Sequence, residues 1–346
     1  MTKANQPRDP LKESSQAKDI APLLRRTWNT CELLEMYRPH HAHPNKALLF
    51  DLAFDDGPAS TGEMTLSRWP TLPLPATIGQ PAATFRIEAV PGHFTYAPAS
   101  QTEVMEWHLN FADRDAFATW RTALFAQDEI QVAEHPALAA LYLAAREQDI
   151  SIRTVEETRD YSNRPTPVLV SGVERRIELE TTASGLYGNA FQRATQEQVS
   201  QATRRIEPPT LSHILAIQAP EPGSGLYSAS DIRQILITAY SGFVAAIEEG
   251  KLQPGSNAST SIHTGFWGCG AYGGNRTLML LLQMLAAHLA GVHEIIFHLG
   301  RASGRRYHDE SLALYEQIAA KPNTPVASII AKLEEAGFAW GVSDGN

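Results

Sequence analysis

The sequence predicts a layered α/β fold, and three observations predict it. Short apolar runs of strand length alternate with helix-length patterns through the last third of the chain, the order expected of βαβ units. Two earlier runs, Val168–Val173 (VLVSGV) and His213–Ala219 (HILAIQA), are rich in branched residues that suit a buried sheet. The helical patterns open and close on capping signals. Ser228 or Ser230 opens one that reaches about Glu249 with Gly250 as its stop, Gly291 closes Asn275–Ala290, and Thr324–Pro325 opens a last helix closed by Gly337.

Taken in order, residues 1–20 are polar with little to bury and read as a flexible tail. The pattern predicts a helix over Ile20–Tyr37. Residues 56–102 are rich in Pro, Thr, Gly and Ala, which favours short strands and irregular connections, so 21–100 read as an N-terminal accessory segment. The main domain spans 101–340, and Trp107–Ala112 (WHLNFA) is its first strand. Ala123–Gln148 is helical with a break at Pro136, whose ring cannot sit inside a helix. Ser261–Gly265 and His293–Gly300 are further strands, and Tyr307–Ala320 and Pro325–Ala336 are two closing helices.

The 346 residues are 43% apolar and 19% charged, an ordinary globular composition that excludes disorder as the main state, coiled coil and collagen-like repeats. Leu278–Ala290, the best apolar stretch, is too short to span a bilayer and carries Gln283 and His288, so no membrane partner is expected. A net charge of −9 argues against a general nucleic-acid surface. An anion would have to be held locally, by helix ends and backbone amides. Two cysteines, Cys31 and Cys269, cannot build a disulfide framework and fit a reducing, cytoplasmic compartment. The polar N-terminal residues lack the apolar core of a secretory signal, while a specialised export signal would not show in this pattern. His40, His41 and His43 form a cluster with no Cys or carboxylate pattern beside it, which favours a surface loop over a metal site.

Between the strand at Ser261 and the helix at Asn275 lies HTGFWGCGAYGGNR, with glycines at 265, 268, 270, 273 and 274. Glycines let the backbone approach a ligand closely, and the following helix turns its positive end back toward the loop. Together these features suit a phosphate or diphosphate, with Trp267 and Tyr272 as candidate walls. The loop is not a P-loop, since no Gly-Lys-Ser/Thr follows, and it lacks the GxGxxG pattern of dinucleotide folds.

Thr264-Gly265-Phe266-Trp267-Gly268-Cys269-Gly270-Ala271-Tyr272-Gly273-Gly274 resembles the diphosphate loop of the poly(ADP-ribose) glycohydrolase family. Ala239-Tyr240-Ser241-Gly242-Phe243 is similar to that family's AYCGF helix, and Val170-Ser171-Gly172-Val173-Glu174 to its ITGTE strand. Gly185, Tyr187 and Phe191 resemble GYxxxYRW, Phe111-Ala112-Asp113 resembles FAN, and Gln127-Asp128-Glu129-Ile130 resembles QEEI. The resemblance implies a macrodomain-like mixed sheet flanked by helices, ADP-ribose as ligand, ADP-ribosylated protein as partner, and no metal or redox cofactor. It departs from the family at three places. Phe117-Ala118-Thr119 stands where the family has GGG, Asp113 where it has a ribose-contacting Asn, and Phe266 where it has the Asn of GNW.

By that resemblance Glu129 is the catalytic acid/base, Asp128 holds the ribose hydroxyls, Gln127 meets the adenine side and Tyr187 lies over the ligand. The chemistry fits, since cleaving a ribose C1″ bond needs a carboxyl that protonates the departing atom and then accepts a proton from water. The sharper expectation is that Asp113, Asp128 and Glu129 form an acidic cluster for a guanidinium, making the substrate arginine-linked mono-ADP-ribose. Two alternatives stand beside it: glycohydrolysis of a poly(ADP-ribose) chain, and ADP-ribose binding without turnover.

Overall fold

Val168–Leu179 and Thr203–Gln218 pair along most of their length and form the spine of the molecule. A computed structural model describes residues 20–54, 60–96, 104–157, 163–253 and 258–343; the expected tail lies outside the described residues apart from Ile20. The strands are β1 (Leu24–Asn29), β2 (Glu63–Arg68), β3 (Thr77–Ile78), β4 (Arg86–Val90), β5 (Val104–Ala112), β6 (Val155–Glu157), β7 (Asn163–Pro165), β8 (Val168–Leu179), β9 (Thr203–Gln218), β10 (Ser259–Thr264), β11 (Glu294–His298) and β12 (Thr324–Pro325). The helices are α1 (Thr30–Met36), α2 (Pro44–Phe54), α3 (Gln127–Glu134), α4 (Ala137–Glu147), α5 (Asn189–Arg193), α6 (Gln196–Gln201), α7 (Ala229–Lys251), α8 (Arg276–Ala290), α9 (Arg305–Ala319) and α10 (Val326–Glu335).

Eight strands make one sheet in the order β1-β2-β8-β9-β5-β10-β11-β4. From β9 to β4 the neighbours are parallel, while β8, β2 and β1 add antiparallel strands at the other edge. The stretch read as an accessory segment therefore supplies both edges of this sheet, with β1 and β2 on one side and β4 on the other. The helix expected over Ile20–Tyr37 is a correction: residues 24–29 are extended, and only Thr30–Met36 is helical. Full pairing of Leu24–Asn29 with Glu63–Arg68 outweighs the local helical pattern.

Both faces of the sheet are covered. Trp107, Leu109, Ile217, Ile262 and Phe297 pack on one side with α7, α8 and α10. Val170, Ile214 and Ala216 pack on the other with α4 and Leu33 of α1. Local signals place the long helices. Ser228 caps α7 by accepting from Asp231 N, and Asn275 caps α8 by accepting from Leu278 N. Gly291 closes α8 in the left-handed region at φ 79°. Gly250 is not a stop, because α7 runs on to Lys251. Gly242 lets α7 lie on β9, where an added Cβ would sit 3.1 Å from Ile217 Cγ2.

Candidate active site

The carboxyl ends of β9, β5, β10, β11 and β4 share one rim, the edge where ligands sit in layered α/β folds. The glycine loop leaves β10 there, and α3 packs against the end of β5.

Helix α3 is short, and its polar side chains are turned into the protein. Gln127 Nε2 donates to Leu109 O at 3.0 Å and its Oε1 accepts from Phe111 N at 2.8 Å, so the side chain extends the β5 ladder. Asp128 is 5% exposed and accepts from Asn110 Nδ2 at 2.8 Å and Thr119 Oγ1 at 2.6 Å. Glu129 is 2% exposed, and its Oε2 accepts from Ala126 N at 2.8 Å. Gln131 bridges Asn110 and the Tyr96 hydroxyl. Glu134 pairs with the buried Arg175 at 3.0 Å and accepts from Leu179 N. Buried polar groups are costly unless each is bonded, and here the bonds join α3 to β5, β8 and the turn before it. The helix is held in register by polar contacts rather than by an apolar stripe.

Burial, and then the charge of Glu129, push the Asp128 carboxyl up to about 7, while its bonds from Thr119 and Asn110 and the charge of Lys46 pull the other way. Lys46 of α2 is pushed down to about 8 by burial, against the attraction of Glu129 and Asp128. Lys46 and Glu129 line one crevice with His41, Phe50, Trp120, Val132 and Pro136.

Asp113 is not part of this group. It is exposed, and its carboxylate accepts from Arg114 N at 2.7 Å. Asp128 and Glu129 are buried while Asp113 faces solvent, so the three carboxylates expected to act together stand in different environments. Gln127, expected on the adenine side, bonds the β5 backbone through both ends of its amide. In sequence the useful neighbour was Asn110, one strand position inside the buried run.

The glycine loop divides into a sealed half and a reachable half. Trp267 is fully buried and donates from Nε1 to Ile217 O at 3.1 Å, so it is a core anchor and not a pocket wall. Thr264 is buried with its hydroxyl on Gln283 Oε1, and Cys269 turns its thiol to Trp267 O. Three glycines have packing reasons. Gly268 takes φ 72° and an added Cβ would meet Ala219 Cβ at 2.8 Å. Gly274 would meet Gly268 O at 2.6 Å, and Gly273 would meet Gly341 O at 2.9 Å. Residues 338–341 are the unanticipated element: Gly341 N donates to Gly273 O, and Asn275 Nδ2 donates to Ala339 O. The amides of Trp267, Cys269, Gly273 and Gly274 are bonded to carbonyls, and Asn275 N donates to the Tyr227 hydroxyl. Gly270 and Tyr272 are half-buried and Ala271 is exposed. The Tyr272 hydroxyl accepts from Gln218 Nε2 at 3.1 Å.

Phe111 ties the loop to α3. Its amide is bonded by Gln127, and its ring tip lies 3.7 Å from where a Cβ on Gly265 would stand. Tyr187 reaches the same rim: Gly188 N donates to Phe125 O just before α3, and the Tyr187 ring stacks on His93 beyond β4 at 6.2 Å. At the position of the missing glycine triplet, Phe117 takes φ 64° while fully buried. This left-handed backbone suits glycine better than a bulky residue. His41 and His43 are not a free surface loop; their rings pack on Trp120 and Phe191. Among the described residues no group of three or more His, Cys, Asp or Glu could hold a metal ion. No helix among them is long and apolar enough to cross a membrane.

A parallel sheet edge carrying a glycine turn, with a buried acid pair on the helix packed beside it, defines a layered α/β protein. Residues 166–304 match the family described as poly(ADP-ribose) glycohydrolase (PARG), macro domain fold. The matched stretch is less than half of the chain. It holds Tyr187 and the whole glycine loop, while Asp113 and α3 precede it. Solved structures similar to the chain include the Thermomonospora curvata poly(ADP-ribose) glycohydrolase, with 17% identity over 82% of this chain and 96% of that one at a TM-score of 0.45. They also include the Deinococcus radiodurans enzyme in complex with ADP-ribose, with 12% identity over 85% and 94% at a TM-score of 0.42. No curated protein matches the chain.

Proposed function

We propose that the protein hydrolyses the ribose C1″ bond of ADP-ribosylated protein and releases ADP-ribose. The observation that carries this reading is Phe111, which brings the glycine loop and the start of α3 to one rim. The diphosphate is assigned to the amides around Gly270, Ala271 and Tyr272, the reachable part of the loop. Tyr187 closes over the distal ribose from beside His93. Glu129 protonates the departing atom as the C1″ bond breaks, leaving an oxocarbenium-like sugar. The resulting carboxylate takes a proton from the attacking water, whose oxygen completes the new C1″ bond and restores the acid. Asp128 and Gln127 act by holding α3, since their polar atoms are bonded within the protein.

The test is incubation of the purified protein with defined protein-linked mono-ADP-ribose and with poly(ADP-ribose), assaying free ADP-ribose. Release from at least one substrate is the expected result. Tight ADP-ribose binding with no release from any of them would support the binding-module reading instead.

A further inference from the structure

Lys46 lies in a stretch to which the sequence patterns attach no chemistry, yet it is 4% exposed and shares a crevice with Glu129. A buried ammonium is costly unless something holds it. Lys46 Nζ donates to Thr119 O at 3.1 Å, and the Thr119 hydroxyl donates to Asp128 Oδ2 at 2.6 Å. The residue before it anchors the helix, because Asn45 Nδ2 donates to Phe191 O at 3.0 Å and Ala194 O at 2.9 Å. Among the described residues no ion pair joins Lys46 to either carboxylate, so its charge acts across the crevice without consuming a carboxylate oxygen. The titratable groups that feel this charge are Asp128 and Glu129 of α3 and His41 and His43 of the turn before α2. Burial lowers both histidines, which keeps them neutral around pH 7 and leaves Lys46 as the cation facing the acid pair.

We propose that Lys46 is a positioning residue: it fixes the Thr119 turn beneath Asp128 and holds a positive charge against the Asp128–Glu129 pair. This rests on the acid/base reading of Glu129 given above.

Removing the charge makes the Asp128 carboxyl easier to protonate. In Lys46→Met the acidic limb of the kcat/KM profile is therefore expected to move to higher pH by about one unit. At a pH on that limb kcat falls while the Kd for ADP-ribose stays at the wild-type value. Lys46→Arg keeps the charge and is expected to return the limb to its wild-type position, which a merely space-filling role would not do. Carboxyl titration followed by ¹³C NMR gives the same comparison without turnover, and Lys46→Gln serves if the Met variant does not fold. An unmoved limb and unmoved titration in the charge-free variants would overturn the proposal while leaving Glu129 in place. If Glu129→Gln releases ADP-ribose at the wild-type rate, the acid/base reading fails, and the NMR comparison still decides whether Lys46 sets the ionisation of the pair.

Discussion

Glu129→Gln is expected to lower the release of ADP-ribose by about 10²–10⁴-fold, the usual worth of a positioned acid/base group. The substitution is close to isosteric, and the new amide oxygen can still accept from Ala126 N, the bond that ties Glu129 to the start of α3. Folding should therefore be preserved and the melting temperature nearly unchanged. The glycine loop is untouched, so calorimetry should return the wild-type Kd for ADP-ribose. A loss of rate without a loss of affinity is the signature of an interaction made only in the transition state. Retention of the wild-type rate would remove Glu129 from the chemistry. Loss of affinity with unchanged rate at saturation would make it a binding residue.

Trp267→Ala is the second large effect, and it falls on stability. The indole is fully buried in the cluster that includes Met279, Leu282 and Ile217. Emptying such a site costs about 3–5 kcal/mol in lost burial and cavity formation. The lost Nε1 bond also leaves Ile217 O without that donor, worth on the order of 1 kcal/mol more. Because Trp267 anchors the loop between Gly265 and Gly268, ADP-ribose affinity should fall together with the denaturation midpoint. Urea unfolding and calorimetry on the same preparation check this. An unchanged midpoint with lost binding would mean that the indole meets the ligand directly.

The parts of the fold set by local chemistry were legible in the sequence. Ser228, Asn275 and Gly291 mark helix ends because their side chain or backbone freedom satisfies groups close along the chain. Pro136 separates α3 from α4 for an equally local reason. Long-range pairing was not legible. Leu24–Asn29 becomes a strand only because Glu63–Arg68 lies beside it, and β4 joins the far edge through β11. In the candidate site, residue types single out the glycine loop and the acid pair, but the direction of their side chains was hidden. Trp267 beside glycines looks like a wall and points into the core, while Asp113 looks like part of the acid group and turns to Arg114 N. Lys46, Asn110 and Thr119 carry no motif, and only packing brings them to Asp128. The burial of Asn45 and Lys46 at the start of α2 becomes intelligible once that contact is known.

The most direct test is a crystal structure of the Glu129→Gln protein with ADP-ribose bound. Amides from Gly270 to Tyr272 should touch the diphosphate, and the residue 129 side chain should lie within roughly 3 Å of the oxygen on C1″. A ligand whose distal sugar points away from α3, with its phosphates elsewhere than this loop, would contradict the account.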